Sequence, residues 1–193
     1  MSETEIIQKL QQGDEQAFKQ LVENYQKLVV NTCFGMIHNI EDAEDIAQEV
    51  FIEVFRSIHK FRADAKISTW LYRIAVNRSL NFIRDNKKRK WFQSFENSVE
   101  SKIRELQNIA SSKTDQPEFQ LENKQRAILL HEAIDSLAQN QKVAFTLSKY
   151  EHLSYQEISE VMDLSISSVE SLLHRAKKNL QKKLYKCYKG KCI

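Results

Sequence analysis

Apolar residues recur at the helical period along most of the chain, and the places where the pattern lapses mark its divisions. Ile6, Ile7 and Leu10 predict a short first helix, closed by Gly13, with Asp14 able to cap the next. From Glu15 to about His38, the series Phe18, Leu21, Val22, Tyr25, Leu28, Val29, Thr32, Cys33 and Met36 predicts a long amphipathic helix. Cys33 falls on its apolar face as an inert core thiol. Asn39 or Glu41 opens a third helix, whose broad apolar face is Ala43, Ile46, Ala47, Val50, Phe51, Val54, Phe55 and Ile58. After a loop over 60–68, Ile67, Leu71, Ile74, Ala75 and Phe82 form one face of a helix that reaches the basic run Lys87-Lys88-Arg89-Lys90.

The pattern then weakens. Residues 93–120 are the most polar stretch and hold the only proline, so they are read as a flexible linker, in which Val99, Ile103, Leu106 and Ala110 could form a transient helix. Beyond it, Ala127, Leu130, Ile134 and Leu137 predict one helix, and Val143, Ala144, Leu147 and Tyr150 another. Ser154 followed by Glu157 three residues on is a capping-box start, with Ile158, Val161 and Met162 behind it. Asp163 suits a left-handed turn and Ser165 a second cap. Ile166, Val169, Leu172, Leu173, Ala176 and Leu180 then mark a last helix. Two short helices joined by three residues, the second ending in a basic run, describe a helix-turn-helix.

Three glycines and one proline are too few for hairpins or nucleotide-binding turns, so the expected fold class is all-α. It comprises two small helical domains joined by a flexible linker: 1–92, the linker 93–120, 121–184 with the helix-turn-helix, and a basic tail over 185–193.

The polar faces carry the candidate chemistry. Glu41, Asp45, Glu49 and Glu53 stand four apart in one stripe, a spacing that costs an isolated helix roughly 0.2–0.5 kcal/mol per pair. Ile52 lies in the middle of that stripe, which suggests a docking face for a basic partner. On the following helix Trp70, Arg73, Asn77, Asn81, Arg84 and Lys88 share one side. A ring, two amides and three cations suit nucleic acid: cations meet phosphates, amides reach base edges, and the ring offers a stacking plane. On the last helix Ser167, Ser168, Glu170, Ser171, His174, Arg175 and Lys178 point away from the apolar face, placed for a major groove and its flanking phosphates.

Net charge is only +3, but it is partitioned: residues 41–60 hold six acids and two bases, 61–90 nine bases and two acids, and 171–193 eight bases and no acid. Two separate cationic ends imply two contacts with a polyanion. An acidic, polar start is unlike a signal peptide, no apolar run is long enough to span a membrane, and three scattered cysteines fit a reducing cytoplasm. Cys187 and Cys192, without a nearby histidine, are too few for a zinc site, and no Glu-x-x-His pair or phosphate-binding glycine loop occurs. No enzyme, metal or cofactor is expected.

The motifs resemble the extracytoplasmic-function (ECF) sigma factors of bacterial RNA polymerase. Asp42 to Phe51 looks like that family's region 2.2, Phe61 and Ser68 to Asn77 like its regions 2.3 and 2.4, and Ser154 to Ala176 like its region 4.2. The resemblance implies docking on core polymerase, at the β′ clamp helices through Glu41, Asp45, Gln48, Glu49, Ile52 and Glu53, with the β flap as a further contact. It implies that Lys60, Phe61, Arg62, Lys66, Trp70, Arg73, Asn77, Asn81, Arg84 and Lys88 hold the melted minus-ten strand, and that the helix-turn-helix reads the minus-thirty-five duplex. An anti-sigma factor would control the chain. The family pattern differs at Glu170, Leu172, Asp163 and Asn81, where Lys, Arg, Gly and Asp are common. The competing reading is a helix-turn-helix regulator that binds DNA without joining polymerase; an acidic stripe beside a basic aromatic helix argues against it.

Overall fold

A computed structural model of the chain describes residues 2–61, 65–96 and 117–189, with the backbone alone described at 90–96, 117–125 and 186–189. The helices are α1 (Glu3–Gln11), α2 (Glu15–Ile37), α3 (Ile40–Ser57), α4 (Ile67–Glu96), α5 (Pro117–Asp135), α6 (Gln139–Lys149), α7 (Tyr155–Met162) and α8 (Ile166–Lys189), with a 3-10 turn at Ile58–Lys60. No strand occurs among the described residues. The all-α reading holds.

Side-chain acceptors set the helix starts. Asp14 Oδ1 accepts from the Gln16 and Ala17 amides at 2.8 and 3.1 Å, and Asn39 Oδ1 from the Asp42 amide at 3.0 Å. Ser2 with Glu5 and Ser154 with Glu157 form reciprocal capping boxes. Each cap satisfies donors that a helix leaves open and contributes about 1 kcal/mol. The stops are left-handed residues: Gly13 at φ 82°, His38 at φ 62° and Asp163 at φ 54°.

Helices α1–α4 enclose one core, with Leu10, Leu21, Val29, Val50, Val54 and Leu71 at its centre. In the second half, α5 lies on α8 through Ala133, Ile134, Leu137, Ala176 and Leu180. The core of the helix-turn-helix, formed by Val143, Ala144, Leu147, Ile158, Val161 and Val169, is not closed by its own helices. Met36 of α2 and Tyr72 and Val76 of α4 complete it, so the two halves meet along an apolar seam. At that seam α2 and α6 approach so closely that Thr146 Oγ1 donates to the Gly35 carbonyl at 3.2 Å. A Cβ at Gly35 would stand 2.7 Å from Thr146 Cγ2 and 3.2 Å from the Tyr150 ring.

Several apolar positions expected in the core are exposed. Phe55 is 44 % exposed, lying on the flank of α3 with the edge of Phe18 at a 5.0 Å centroid distance. Leu130 is exposed because α5 turns Ala133 and Ile134, with Leu137 just beyond its end, to α8 instead, and Ile166 because it sits at the first position of α8, before Val169 enters the core. Helix α4 runs on to Glu96. The sole proline, expected in the linker, is the first residue of α5, where its fixed φ is pre-organised and its missing N–H costs nothing. The transient helix expected around Val99, Ile103, Leu106 and Ala110 lies outside the described residues.

Gly35→Leu should separate the two halves while leaving each folded. Small-angle scattering should show a larger radius of gyration with far-UV circular dichroism unchanged; an unchanged radius would mean that the seam accommodates a side chain.

Candidate functional site

Three surfaces carry the polar residues singled out above. On α3, the buried face of Ala43, Ile46, Ala47, Val50, Phe51 and Val54 turns Glu41, Asp45, Gln48, Glu49 and Ile52 outward, with Glu53 half-buried at the margin. Ile52 is 50 % exposed among these carboxylates; Ile40, at the first position of α3, and Phe55, on its flank, are exposed as well. The like-charge stripe is relieved from behind: Arg78 of α4 donates through Nε to Glu53 Oε2 and lies 3.5 Å through Nη1 from Glu49 Oε2. Glu41 and Asp45 form no ion pair among the described residues. Partial burial, with Asp45 and Glu41 nearby, raises the Asp42 carboxyl above its ordinary range.

On α4, Ile67, Leu71, Ile74 and Ala75 face the core, whereas Arg73, Asn77, Asn81, Arg84 and Lys88 are exposed. Trp70 is half-buried, its ring 5.3 Å from that of Phe61. Phe61 itself is a core residue, 7 % exposed, whose carbonyl accepts from Gln11 Nε2 at 3.1 Å. Phe61 thus lies buried after the 3-10 turn with its ring beside Trp70. Lys60 is exposed, and Arg62 lies outside the described residues.

In the helix-turn-helix, α7 ends at left-handed Asp163 and Ser165 caps α8, its Oγ accepting from the Ser168 amide at 3.2 Å. Ser167 and Ser168 hydroxyls gather on the same Ser165 oxygen at 3.1 and 2.8 Å. Glu170, Ser171, His174, Arg175 and Lys178 are exposed along α8. A groove beside them is lined by Phe145, Lys149, Tyr155, Ser171, His174 and Arg175.

The second and third surfaces are not independent. Arg73 donates through Nε, at 3.1 Å, and through Nη2 to the Glu160 carbonyl of α7. Lys66 stands 3.7 Å from Glu157, whose carboxyl is held below its ordinary range first by the Ser154 amide and hydroxyl. The Tyr72 hydroxyl donates to Glu151 Oε2 at 3.2 Å. Arg73 and Tyr72 of α4, and Lys66 just before it, are thus tied to the second half of the chain, while Arg73 and Lys66 themselves stay exposed.

A Sigma-70 region 2 family model matches residues 21–89 and a Sigma-70 region 4 model residues 127–180. The ECF RNA polymerase sigma-E factor of Haemophilus influenzae is 31 % identical over 95 % of this chain and 96 % of its own length. The chain belongs to the ECF sigma factors of RNA polymerase. Sigma-H of Pseudomonas aeruginosa is 30 % identical over 93 % of this chain and 92 % of its own, and SigW of Bacillus subtilis 30 % identical over 92 % and 94 %. Among solved structures, CnrH in complex with the cytosolic domain of CnrY superposes with a TM-score of 0.64 at 19 % identity, covering 93 % of this chain and 94 % of that one. The sigma factor RpoE of Bartonella quintana, in complex with the anti-sigma factor NepR, gives 0.62 at 20 % identity over 87 % and 96 %. These two likenesses concern the fold. As an ECF sigma factor, the chain is a transcription-initiation factor. No helix among the described residues is long and apolar enough to cross a membrane.

Two contributors to these surfaces are absent from the sequence-based reading. Arg78 was not assigned to the acidic stripe, and Tyr72, Val76, Leu80 and Ile83 form a second apolar line on α4 at helical spacing.

Arg78→Ala should lower unfolding stability by up to about 1 kcal/mol, since the pair is partly solvated. The loss should shrink at high salt in chemical denaturation; a salt-independent loss would indicate that the Arg78 stem, not its charge, matters.

Proposed function

We propose that this sigma factor docks on core RNA polymerase through α3, holds the melted minus-ten strand on α4 and reads the minus-thirty-five duplex with α8. The observation that carries this reading is one chain presenting an exposed apolar residue, Ile52, within a carboxylate stripe, beside two separate cationic helix faces. Glu41, Asp45, Gln48, Glu49, Ile52 and Glu53 would meet a basic, partly apolar partner at the β′ clamp helices, and the second half would meet the β flap. Arg73, Asn77, Asn81, Arg84 and Lys88, with Lys60, Arg62 and Lys66, would supply phosphate and base-edge contacts. Trp70, supported by Phe61, would supply a stacking edge.

On α8, Ser167, Ser168, Ser171, His174, Arg175 and Lys178 would contact the major groove and its backbone. Glu170 is suited to accept from a cytosine amino group rather than to meet phosphate. The working units are 1–92 and 121–184, with 93–120 between them and a basic tail over 185–193. The chain acts in the cytoplasm without catalysing a reaction of its own, under the control of an anti-sigma factor, as its family implies.

Co-elution of the chain with core polymerase, followed by run-off transcription on a random-promoter library, tests the whole reading. Stable co-elution and enrichment of a two-part promoter are expected. Duplex binding without co-elution would instead favour a regulator that acts apart from polymerase. Charge reversal at Asp45 and Glu49 together should weaken core binding at least tenfold, roughly the loss of 1.4 kcal/mol. Arg73→Ala should leave core binding intact and reduce open-complex formation, read by permanganate footprinting. Loss of both functions in Arg73→Ala would count against the division of labour between α3 and α4.

A further inference from the structure

Closure of the seam brings together two imidazoles that the promoter reading does not use. His38 ends α2 in the left-handed conformation, and His131 lies on α5. Their rings stack with centroids 4.1 Å apart and planes 4° from parallel. The His38 side chain is 5 % exposed. Both of its ring nitrogens, and Nδ1 of His131, are buried without a hydrogen-bond partner.

The charged and titratable groups around the pair offer little compensation to a cation. Asp135, on α5 one turn beyond His131, places Oδ1 3.6 Å from His38 Nε2, and that oxygen is already held by Lys142 Nζ of α6 at 2.6 Å. The Tyr150 ring, at the end of α6, stands 6.4 Å from His38. One carboxylate shared with one ammonium leaves no net negative charge for two stacked imidazolium rings. Two like charges about 4 Å apart in a poorly solvated seam repel strongly.

We propose that the His38–His131 stack is a proton-sensitive latch: neutral, it lets the two halves stay closed, with Arg73 tied to Glu160 and Lys66 beside Glu157, and protonated, it drives them apart. Burial, and then the neighbouring His131, push His38 down to about 4, and burial pushes His131 down as well. Once separated, both rings return toward the ordinary 6.5. The sign follows. Closure requires neutral rings, so its support is complete above pH 6.5 and is lost as the pH falls from there toward 4.

Glu151 opposes this. Burial raises its carboxyl from 4.5 to about 7, so closing takes up a proton there while the histidines release theirs. Opening lets two imidazoles take up protons while one carboxyl gives one up, so the net slope toward opening is at most about one proton, or tenfold per pH unit.

The test is small-angle scattering of the full chain from pH 7 to pH 5, with circular dichroism confirming that the helices persist. The wild-type radius of gyration should rise on acidification toward that of Gly35→Leu. The double variant His38→Asn with His131→Phe keeps a flat ring in the seam and a residue tolerant of positive φ at its edge. It should show no rise, because only Glu151 remains and acid then favours closure. Glu151→Gln should steepen the wild-type rise. A flat wild-type profile, or equal profiles in the wild type and the double variant, would overturn the latch.

Should the double variant fail to fold, proton NMR titration of the wild-type imidazole C–H resonances decides. A His38 resonance titrating well below 6.5 supports the proposal, and one at the ordinary value overturns it. The consequence for DNA rests on the strand-binding reading of α4 and is separable. Expansion in acid without a gain in affinity for a single-stranded oligonucleotide, measured by fluorescence anisotropy, supports the latch and counts against that reading.

Discussion

The apolar seam between α2, α4 and the helix-turn-helix is the contact on which the arrangement of the molecule depends. α7 is only eight residues long, and a helix so short cannot bury a core from both sides. Val143, Leu147, Ile158, Val161 and Val169 therefore leave an apolar face that Met36, Tyr72 and Val76 cover. Burial of side chains of this size stabilises by roughly 1.5–3 kcal/mol each relative to exposure. Part of that gain is offset by ordering the two halves against each other. The same seam carries polar groups at a cost: Glu151 Oε1 and the His38 nitrogens are buried without partners. The seam thus combines a favourable apolar interior with uncompensated polar groups that lower its net stability.

Most of the fold was legible in the sequence because its signals are local. The caps at Asp14 and Ser154, the left-handed stop at Asp163 and the period of α3 each depend on residues within one or two turns. What escaped is non-local. Helix α4 carries two apolar lines: Ile67, Leu71, Ile74 and Ala75 account for packing within the first half, which leaves Tyr72, Val76, Leu80 and Ile83 with no evident partner until the second half is in place. Phe61 entered the strand-holding set through the family resemblance alone, and in the fold it is buried beside Trp70 after the 3-10 turn at Ile58–Lys60. The three surfaces were legible as faces; which of their members touch one another was not.

The acidic stripe shows how such a surface is tolerated. Four carboxylates at helical spacing disfavour α3, yet the helix is held by a well-packed apolar face and by Arg78 reaching across from α4. Arg78 relieves the two carboxylates nearest α4, while Glu41 and Asp45, at the other end, keep their charge unpaired among the described residues. Neutralisation is therefore confined to the Glu49–Glu53 end, and the N-terminal end, where Glu41 and Asp45 crowd Asp42, keeps its negative charge. The orientation of that charge is fixed by the same helix pair that presents Arg73 on its far side.

The contact that ties Arg73 to the second half is weak in a specific way. Both guanidinium donors converge on one backbone carbonyl, that of Glu160, which carries only a partial charge. A phosphodiester carries a full negative charge shared by two oxygens and pairs with the guanidinium fork in the shorter, stronger geometry of an ionic hydrogen bond. On the proposed strand-binding reading, exchanging Glu160 for a nucleic-acid backbone would strengthen the hydrogen bonding of Arg73. What opposes the exchange is the apolar seam beside it, which holds α7 in place. Whether Arg73 stays on Glu160 therefore depends on whether the seam, packed at Met36, Tyr72 and Val76 and edged by the His38–His131 stack, keeps α7 in place.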